Sequence, residues 1–553
     1  MKKEKKSINI SKNDIIDIKI TDVMITGEGV GKWNNIVVLV PKCAIGDELS
    51  VRIIKVKSNY LIGKIEKILV PSPDRIESDC EIFSKCGGCA FRHITYEAEK
   101  RIKQKHVEDC LKRIGGFKDL NVEEIRGVKE ILNYRNKSQI PVGYNLKTKE
   151  IISGFFGVHS HNIIPCKNCK LHPTIFDEII EEIKKWMRKF NILPYDETTH
   201  KGTIRHIYLR CSKNCSQIMV CLVVNGDKIL SKNELVNSLT TKFENIKSIV
   251  ANYNKDKTNV ILGKKFENLY GENYIQDDLY GIKFNISPES FYQVNHDQTE
   301  ILYTIAKDML KADKNDSVLD LYCGIGTIGI FVSDTAKNVY GVEIVEKAIE
   351  NAKENAKLNN VNNIKFFCGD SSNITNKKFL DKNIHAVIVD PPRKGCSDEL
   401  INDLMKIQPN KIVYISCNPA TLAKDLKKIC ESEKYKIEKI QPVDLFPRTQ
   451  HVETVVQLVR KKPDTYIDIT VDMDELDLTS SEAKATYEEI KDYVFEGFGL
   501  KVSSLNIAQV KTKCGIIERE NYNKPKSENV KQPQCTKDKE EAIMSALRHF
   551  KMI

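Results

Sequence analysis

The chain has 553 residues, enough for three or four domains, and its 41% hydrophobic and 29% charged residues exclude a disordered or fibrous protein. Basic residues exceed acidic ones by ten, with a net charge of +14 in residues 1–463 and −4 in residues 464–553. A basic body of this size favours a polyanionic partner such as nucleic acid, although charge can also serve solubility alone.

No apolar run approaches the roughly 18 residues that a membrane helix needs. The first residues are charged and no apolar segment follows them, so no signal peptide is predicted. We therefore expect a cytoplasmic protein that does not associate with membranes. In that compartment the 17 cysteines indicate metal binding or catalysis rather than disulfides.

Residues 1–70 are predicted to form a small β-barrel. Ile16, Ile18 and Ile20 alternate with polar residues, which is the period expected of a strand with one buried face. About five such short strands fit between residues 14 and 68. Small barrels often bind RNA, but many only pack, and the pattern leaves both alternatives open.

A group of cysteines follows the barrel. Its members are Cys80, Cys86 and Cys89. Four thiolates would hold either an iron–sulfur cluster or a zinc ion, so a fourth ligand must come from elsewhere, and the spacing does not decide between the metals. The group opens a mixed α+β central domain, predicted for residues 71–285, with a charged helix from Tyr96 to Ile114. Cys211 and Cys215 have no evident partner and are expected to be structural.

Residues 286–462 show the strand–helix alternation of a doubly wound, Rossmann-like parallel sheet. Strands are expected at Ser317–Tyr322, Asn338–Glu343, His385–Asp390, Lys411–Ser416 and Val452–Val459. Parallel strands present their carboxyl ends at one edge of the sheet. If the last strand is antiparallel, its first residues lie at that same edge.

The first of these strands ends in a glycine-rich turn that would let a ligand approach the backbone, at Gly324 and Gly326. Glu343 ends the next strand and could accept hydrogen bonds from both hydroxyls of a ribose. With Gly329 the turn also fits the G-x-G-x-x-G pattern of nicotinamide-dependent enzymes, and a lone match of this kind also occurs in ordinary tight turns.

Three reactive side chains are expected at the same edge, namely Asp390, Cys417 and Glu453. A dehydrogenase has no evident use for two acids and a thiol, whereas methyl transfer to a pyrimidine ring does. The structural alternatives are a brace for the turn after Asp390, an inert buried thiol at Cys417 and an ion pair at Glu453.

The chain resembles the S-adenosylmethionine-dependent RNA uracil-5-methyltransferases, which make 5-methyluridine in ribosomal and transfer RNA. The resemblance covers about residues 8–462, and the first 70 residues resemble the TRAM domain, an RNA-binding barrel. Five motifs carry it: Ser290–Asn295, Asp320–Gly326, Asp390–Gly395, Ser416–Pro419 and His451–Thr454.

The resemblance implies a cofactor and base site lined by Gln293, Tyr322, Glu343 and Asp390. Thr327 and Asp370 stand where the family often has asparagine, and both can still hydrogen-bond to a cofactor. For Gln293, plain strand packing is the alternative. The resemblance also implies a [4Fe–4S] cluster, found in the ribosomal branch of the family. Aligned with the family motif, Cys169 is the fourth ligand and Cys166 is not a ligand.

Uracil C5 is a poor nucleophile until a thiolate adds to C6 and turns the ring into an enolate. Cys417 is the candidate nucleophile, and Glu453 is the candidate base that removes the C5 proton. A free thiol is mostly protonated at neutral pH, so we expect the surroundings of Cys417 to lower its pKa. The target base must leave its stack to reach the site.

We therefore expect a uracil-5-methyltransferase acting on 23S ribosomal RNA. The cysteine pattern favours ribosomal RNA, because the iron–sulfur cluster is found in the ribosomal branch of the family. The same chemistry on transfer RNA is one alternative, and a non-catalytic RNA-binding assembly factor is another. The protein is expected to act as a monomer.

Residues 463–553 lie beyond the resemblance and are predicted to be mostly helical. A capping box at Thr479–Glu482 predicts a helix to about Glu496, and Ser503 or Ser504 could cap a second one. Two helices joined by a short turn fit a helix-turn-helix, with a small packed bundle as the alternative. Such an appendage could bind a protein partner.

Overall fold

The computed structural model describes residues 10–145, 147–376, 384–461, 485–516 and 534–553. The chain divides into two units, Met1–Lys462 and Pro463–Ile553. Among the described helices, none combines the length and the apolar character that crossing a membrane would require.

The N-terminal strands close into the predicted barrel. They are β1 (Ile15–Val23), β2 (Glu28–Trp33), β3 (Ile36–Pro41), β4 (Glu48–Val56) and β5 (Tyr60–Val70). Their order around the barrel is β1-β2-β3-β5-β4. Ile16, Ile18 and Ile20 all point into the barrel core, as their alternation with polar residues predicts.

The central region begins with helix α1 (Tyr96–Arg113) and contains a seven-stranded sheet. Its strands are β6 (Lys137–Asn145), β7 (Glu150–Phe156), β8 (Ile163–Pro165), β9 (Ile204–Cys211), β10 (Ile218–Val224), β11 (Ile246–Tyr253) and β12 (Lys265–Gly271), in the order β12-β11-β10-β9-β6-β7-β8. Helices α2 (Thr174–Lys189) and α3 (Lys232–Lys242) cover it, and a hairpin of β13 (Ile275–Leu279) and β14 (Ile282–Ile286) follows. Phe176, Ile179 and Ile183 form the apolar stripe of α2 that meets the sheet.

A second seven-stranded sheet follows in the Rossmann-like arrangement that was predicted. Its strands are β15 (Ser317–Leu321), β16 (Asn338–Glu343), β17 (Ile364–Cys368), β18 (Ala386–Val389), β19 (Lys411–Ser416), β20 (Tyr435–Val443) and β21 (Glu453–Arg460). Its helices are α4 (His296–Leu310), α5 (Thr327–Val332), α6 (Glu346–Leu358), α7 (Asp398–Ile407) and α8 (Pro419–Glu431).

The strand order in this sheet is β17-β16-β15-β18-β19-β21-β20. Strands β15 to β19 are parallel, and β21 runs antiparallel between β19 and β20. The direction of the final strand, which the sequence left open, is therefore antiparallel. Strands β17 and β20 were missed, because β17 is short and lies at the edge, and half of β20 carries charged, solvent-facing residues.

The last unit contains helices α9 (Tyr487–Phe498), α10 (Ser504–Lys513) and α11 (Lys537–His549). The capping box predicted at Thr479–Glu482 lies outside the described residues. Thr486 and Glu489 form a capping box at the start of α9, and Ser503 caps α10 as predicted. Buried side chains such as Ile490 and Ile543 give the three helices a core of their own.

Candidate functional site

The predicted site residues of the second sheet lie along one edge, which we call the sheet rim. The rim consists of the carboxyl ends of β15, β16, β18 and β19 and the beginning of β21. Ser416 pairs with Thr454 across the antiparallel strands β19 and β21. Cys417 and Glu453, the next residues outward, are therefore brought together by strand register.

Carboxyl groups dominate the rim. The Glu453 side chain is buried, and burial, with a smaller contribution from the charge of Asp390, raises its pKa to about 8. Burial alone raises the pKa of Asp390 to about 7. Asp320, on β15, is fully buried, and its pKa rises to about 8, mainly through burial and then through Asp390. A cation entering this site would stabilise the charged forms of these carboxyl groups and lower their pKa values.

The surroundings of Cys417 contradict the expected lowering of its pKa. Burial, together with the charges of Glu453 and Asp390, raises the pKa of its thiol to about 11. Arg393 opposes this rise but does not overcome it. The sequence identified the acids around the thiol but not their net effect, which depends on how deeply all of these groups are buried.

The glycine turn after β15 is held from two sides. Glu343 accepts hydrogen bonds from the backbone N–H of Gly324 at 3.3 Å and from that of Val345 at 2.9 Å. Asn355, a fully buried residue of α6, donates to the carbonyl of Ile325 at 3.2 Å. Gly324 has φ +55°, and a Cβ built there would meet no atom within 4 Å, so the turn borders open space.

The other predicted cofactor residues surround this turn. Tyr322 has φ +62° and is half-buried. The hydroxyl of Thr327 is within 3.0 Å of the Tyr303 hydroxyl, and Asp370 accepts a hydrogen bond from the backbone of Ser372 at 2.9 Å. Thr327 and Asp370 thus both have partners within the protein.

Gln293 lies where the sheet of the central region meets the second seven-stranded sheet. Its side chain is buried, and its backbone carbonyl accepts a hydrogen bond from the Asn136 side chain at 3.0 Å. Arg210, a buried residue of β9, donates to the carbonyls of Ser287 and Ser290 at 2.8 and 2.9 Å. Sequence reasoning missed Arg210, whose one signal is a charge at the end of an apolar strand.

The predicted metal ligands come together at a second place. The cysteine loop, residues 80–89, lies against β7, where the backbone of Gly87 donates to the carbonyl of Phe156 at 3.0 Å. The charge of Cys169, from beyond β8, acts on both Cys86 and Cys89, and that of Cys80 acts on Cys86. The four predicted ligands are therefore neighbours.

Cys166 and Cys169 occupy different electrostatic positions. The interaction with Cys166 is the main cause that lowers the pKa of Cys169 to about 6, and backbone N–H groups of Leu171 and His172 assist. The same interaction raises the pKa of Cys166. Cys169 is therefore the member of this pair that favours the thiolate.

Two cations border the thiols, and a second thiol pair lies elsewhere. Arg92, almost fully buried, pairs with Asp79 and hydrogen-bonds to the sulfur of Cys89. The charge of Lys42 acts on Cys86. The sulfurs of Cys211 and Cys215, which were expected to have no partner, lie 3.0 Å apart.

Comparisons with known proteins agree with this architecture. Residues 230–461 match the tRNA (Uracil-5-)-methyltransferase family, and residues 12–65 match the TRAM domain. The chain is 45% identical over 454 residues to an uncharacterized RNA methyltransferase of Clostridium tetani, covering 82% of this chain and 98% of the relative. A relative of the same description from Halalkalibacterium halodurans is 41% identical over 459 residues, covering 83% and 99%.

A solved structure is similar along most of the chain. It is the tRNA (uracil-54, C5)-methyltransferase of Pyrococcus abyssi in complex with S-adenosyl-L-homocysteine. The TM-score is 0.64 at 29% sequence identity, and the match covers 80% of this chain and all of the other.

Proposed function

This chain belongs to the S-adenosylmethionine-dependent RNA uracil-5-methyltransferases, and on that premise we propose that it methylates C5 of a uridine in 23S ribosomal RNA through a covalent adduct with Cys417. The observation that carries the proposal is the pairing of β19 with β21, which sets a thiol beside a buried carboxyl group at one rim.

Cys417 acts as the nucleophile in this proposal. Its sulfur forms a bond to uracil C6, and the ring electrons move onto the C4 oxygen, which makes C5 nucleophilic. S-adenosylmethionine, when bound, supplies the electrophilic methyl group that C5 accepts. Because the free protein holds the Cys417 thiol protonated at neutral pH, attack requires a proton acceptor, and the neighbouring carboxylates are available.

Glu453 acts as the base that completes the reaction. It removes the proton from C5, the electron pair forms the C5–C6 double bond, and the Cys417 sulfur leaves C6 as a thiolate. A carboxyl group with a pKa of about 8 accepts a proton more readily near neutral pH than an ordinary glutamate does. The burial that raises this pKa thus supports the assignment.

The rim fits a cationic cofactor. Burial raises the pKa values of three carboxyl groups at the rim, those of Asp320, Asp390 and Glu453. The positive charge of a sulfonium ion would stabilise their ionised forms. Gly324 borders open space, and the carboxylate of Glu343 is partly exposed beside it, as a ribose contact requires. Gln293, Tyr322, Thr327 and Asp370 complete the proposed cofactor and base site.

We further propose that a [4Fe–4S] cluster is held by four thiols, those of Cys80, Cys86, Cys89 and Cys169. A tetrahedral zinc with bonds of about 2.3 Å would hold its sulfurs about 3.8 Å apart. Within the described parts of the chain, the one group of three such ligands within 4.8 Å is His296, Asp297 and Glu300, which contains no cysteine. The wider thiol set favours the larger cluster, and Arg92 offsets its negative charge.

Transfer RNA is the second candidate substrate, because the similar Pyrococcus abyssi enzyme is described as a tRNA methyltransferase. The cysteine set favours ribosomal RNA. The test is to incubate the protein with S-adenosylmethionine labelled in its methyl group and with unmodified 23S ribosomal RNA or transfer RNA, and to identify the labelled nucleoside.

We expect 5-methyluridine in the 23S ribosomal RNA alone. Label in transfer RNA alone would contradict the ribosomal assignment. Tight RNA binding without transfer to either RNA would favour a non-catalytic assembly factor. A Cys417→Ala protein run in parallel separates enzymatic transfer from contamination.

A further inference from the structure

A buried arginine, Arg448, lies between the chain that leaves the cysteine loop and the segment that leads to Glu453. It lies in the 444–452 loop, which connects β20 to β21 and delivers the chain to Glu453. Arg448 has φ +68°, a conformation that a residue with a Cβ holds only when its surroundings enforce it. The contacts of Arg448 identify the enforcing groups.

On one side Arg448 is hydrogen-bonded to the chain segment that follows the cysteine loop. Its backbone carbonyl accepts hydrogen bonds from the N–H groups of Ala90 at 2.9 Å and Phe91 at 3.2 Å. Its guanidinium donates to the carbonyls of Phe91 at 3.3 Å and Ile94 at 2.9 Å. Ala90 directly follows Cys89, so these bonds begin at the loop of thiols.

On the other side helix α1 fixes the same arginine. The backbone N–H of Arg448 donates to the Glu99 carboxylate at 2.6 Å. Glu99 pairs with Lys103 at 2.8 Å, and Lys103 pairs with Asp444 at 2.7 Å. These two cations and two carboxylates, those of Arg448, Lys103, Glu99 and Asp444, are all buried. Their formal charges sum to zero, so the group needs no counter-ion.

Further contacts hold the part of the 444–452 loop that lies between Arg448 and the rim. The Thr449 hydroxyl donates to the carbonyl of Phe446 at 2.8 Å, and the backbone of His451 donates to that hydroxyl at 3.3 Å. The His451 ring nitrogen contacts the Arg393 guanidinium at 3.3 Å. Glu453 begins β21 immediately beyond these contacts.

We propose that Arg448 is a positioning residue that makes the placement of Glu453 depend on an ordered cysteine loop. The inference rests on the proposed role of Glu453 as the base. When the loop is ordered, its backbone holds Arg448 at positive φ and the 444–452 loop presents the base. When those hydrogen bonds are lost, Arg448 relaxes toward negative φ and the loop turns away.

The test compares Arg448→Met and Arg448→Lys with Arg460→Met in the full-length protein. Arg460 is a matched control, because it also hydrogen-bonds to a backbone carbonyl, at 2.9 Å from Gln408, but at the far end of β21. Four quantities are measured: turnover on ribosomal RNA, the covalent adduct with normal uridine, trapping by 5-fluorouridine RNA, and the absorbance and iron content of the protein.

We expect Arg448→Met to lower turnover at least tenfold and to accumulate the methylated adduct, while 5-fluorouridine trapping and iron content stay within twofold of wild type. Arg448→Lys keeps a charge facing Glu99 and should recover part of the turnover. Arg460→Met should behave as wild type. Equal losses of trapping and turnover in both Arg448 variants would overturn the proposal, because they would indicate general disorder of the site.

Two further proteins complete the experiment. Combining Arg448→Met with Cys86→Ser should reduce turnover no further than the more damaging single change, since both act through one connection. Full additivity would overturn the coupling. A Glu453→Gln protein that accumulates no adduct would overturn the proposed base, whereas wild-type behaviour of Arg448→Met beside a stalled Glu453→Gln protein would overturn only the positioning role.

Discussion

The sheet rim and the cysteine loop gather reactive groups in opposite ways. At the rim, each group follows or begins a paired strand, so strand register sets its position. The cysteine loop has no regular structure, and its thiols meet because loop backbone bonds to β7 and a second segment follows β8. Groups placed by register can be predicted from sequence, whereas groups placed by loops need the structure.

The two regions also differ in charge. The rim collects carboxyl groups, and their burial raises the pKa values of Asp390 and Glu453. The cysteine loop instead has Arg92 and Lys42 beside its thiols. One region is therefore suited to a cationic ligand, and the other to a ligand that brings negative charge.

Replacing the thiol of the rim should have the largest effect. We expect Cys417→Ala to reduce methyl transfer by more than about 1000-fold, because no other group can form the bond to C6. Binding of S-adenosylmethionine should change little. Radiolabel transfer and equilibrium dialysis measure the two quantities, with Cys430→Ala as the control, since Cys430 lies at the far end of α8. Turnover by Cys417→Ala would show that the rim is not the reactive region.

Iron content should distinguish the two cysteines beyond β8. We expect Cys169→Ser, purified anaerobically, to lose most of the iron and the broad visible absorbance, because Cys169 favours the thiolate and adjoins Cys86 and Cys89. Cys166→Ser should retain most of both. One zinc and no iron in the wild-type protein would contradict the cluster assignment and remove the contrast between the two regions.

The charge of the rim should appear in the pH dependence of stability. The pKa of Glu453 is raised in the folded state, so its contribution to stability is complete below about pH 4.5 and is lost as pH rises toward 8. Glu453→Gln removes this loss.

The free energy of unfolding of Glu453→Gln should exceed that of the wild type by about 4 kcal/mol at pH 8, a gain that shrinks as the pH approaches 5. Urea denaturation at the two pH values measures the difference. Glu438→Gln, at an exposed position of β20, should give no such trend. Equal stability of Glu453→Gln and the wild type at pH 8 would mean that burial at the rim does not raise the pKa of Glu453.

Removing the last unit should have the smallest effect. The described residues of this unit, 485–516 and 534–553, supply no strand to the second seven-stranded sheet, and none of them is a proposed site residue. We expect a protein ending at Pro463 to contain iron and to methylate naked ribosomal RNA within about twofold of the full chain. Insolubility or inactivity of this protein would show that both regions depend on the appendage, and a loss confined to ribosomal particles would indicate a protein partner for it.

Sequence patterns predicted the barrel and the parallel sheet, because alternation of apolar residues and strand-end motifs are local signals. They left the direction of the last strand open. They did not predict Arg210 or Arg448, which are buried charges whose partners lie far along the chain. The predicted lowering of the Cys417 pKa was wrong for a similar reason, because the burial of the thiol and of the nearby acids depends on the fold. Spacing also could not decide between Cys166 and Cys169, whose opposite pKa shifts depend on contacts that only the fold brings together.

The position of β21 has a consequence for how the enzyme is made. This strand is the last of the sheet to be synthesised, yet it lies between β19 and β20. Until the ribosome has passed residue 460, both of those neighbours expose an unpaired edge, which is a template for aggregation. A nascent chain therefore gains Cys417, the proposed nucleophile, before Glu453, the proposed base. Premature termination between the two would release a protein with an open sheet.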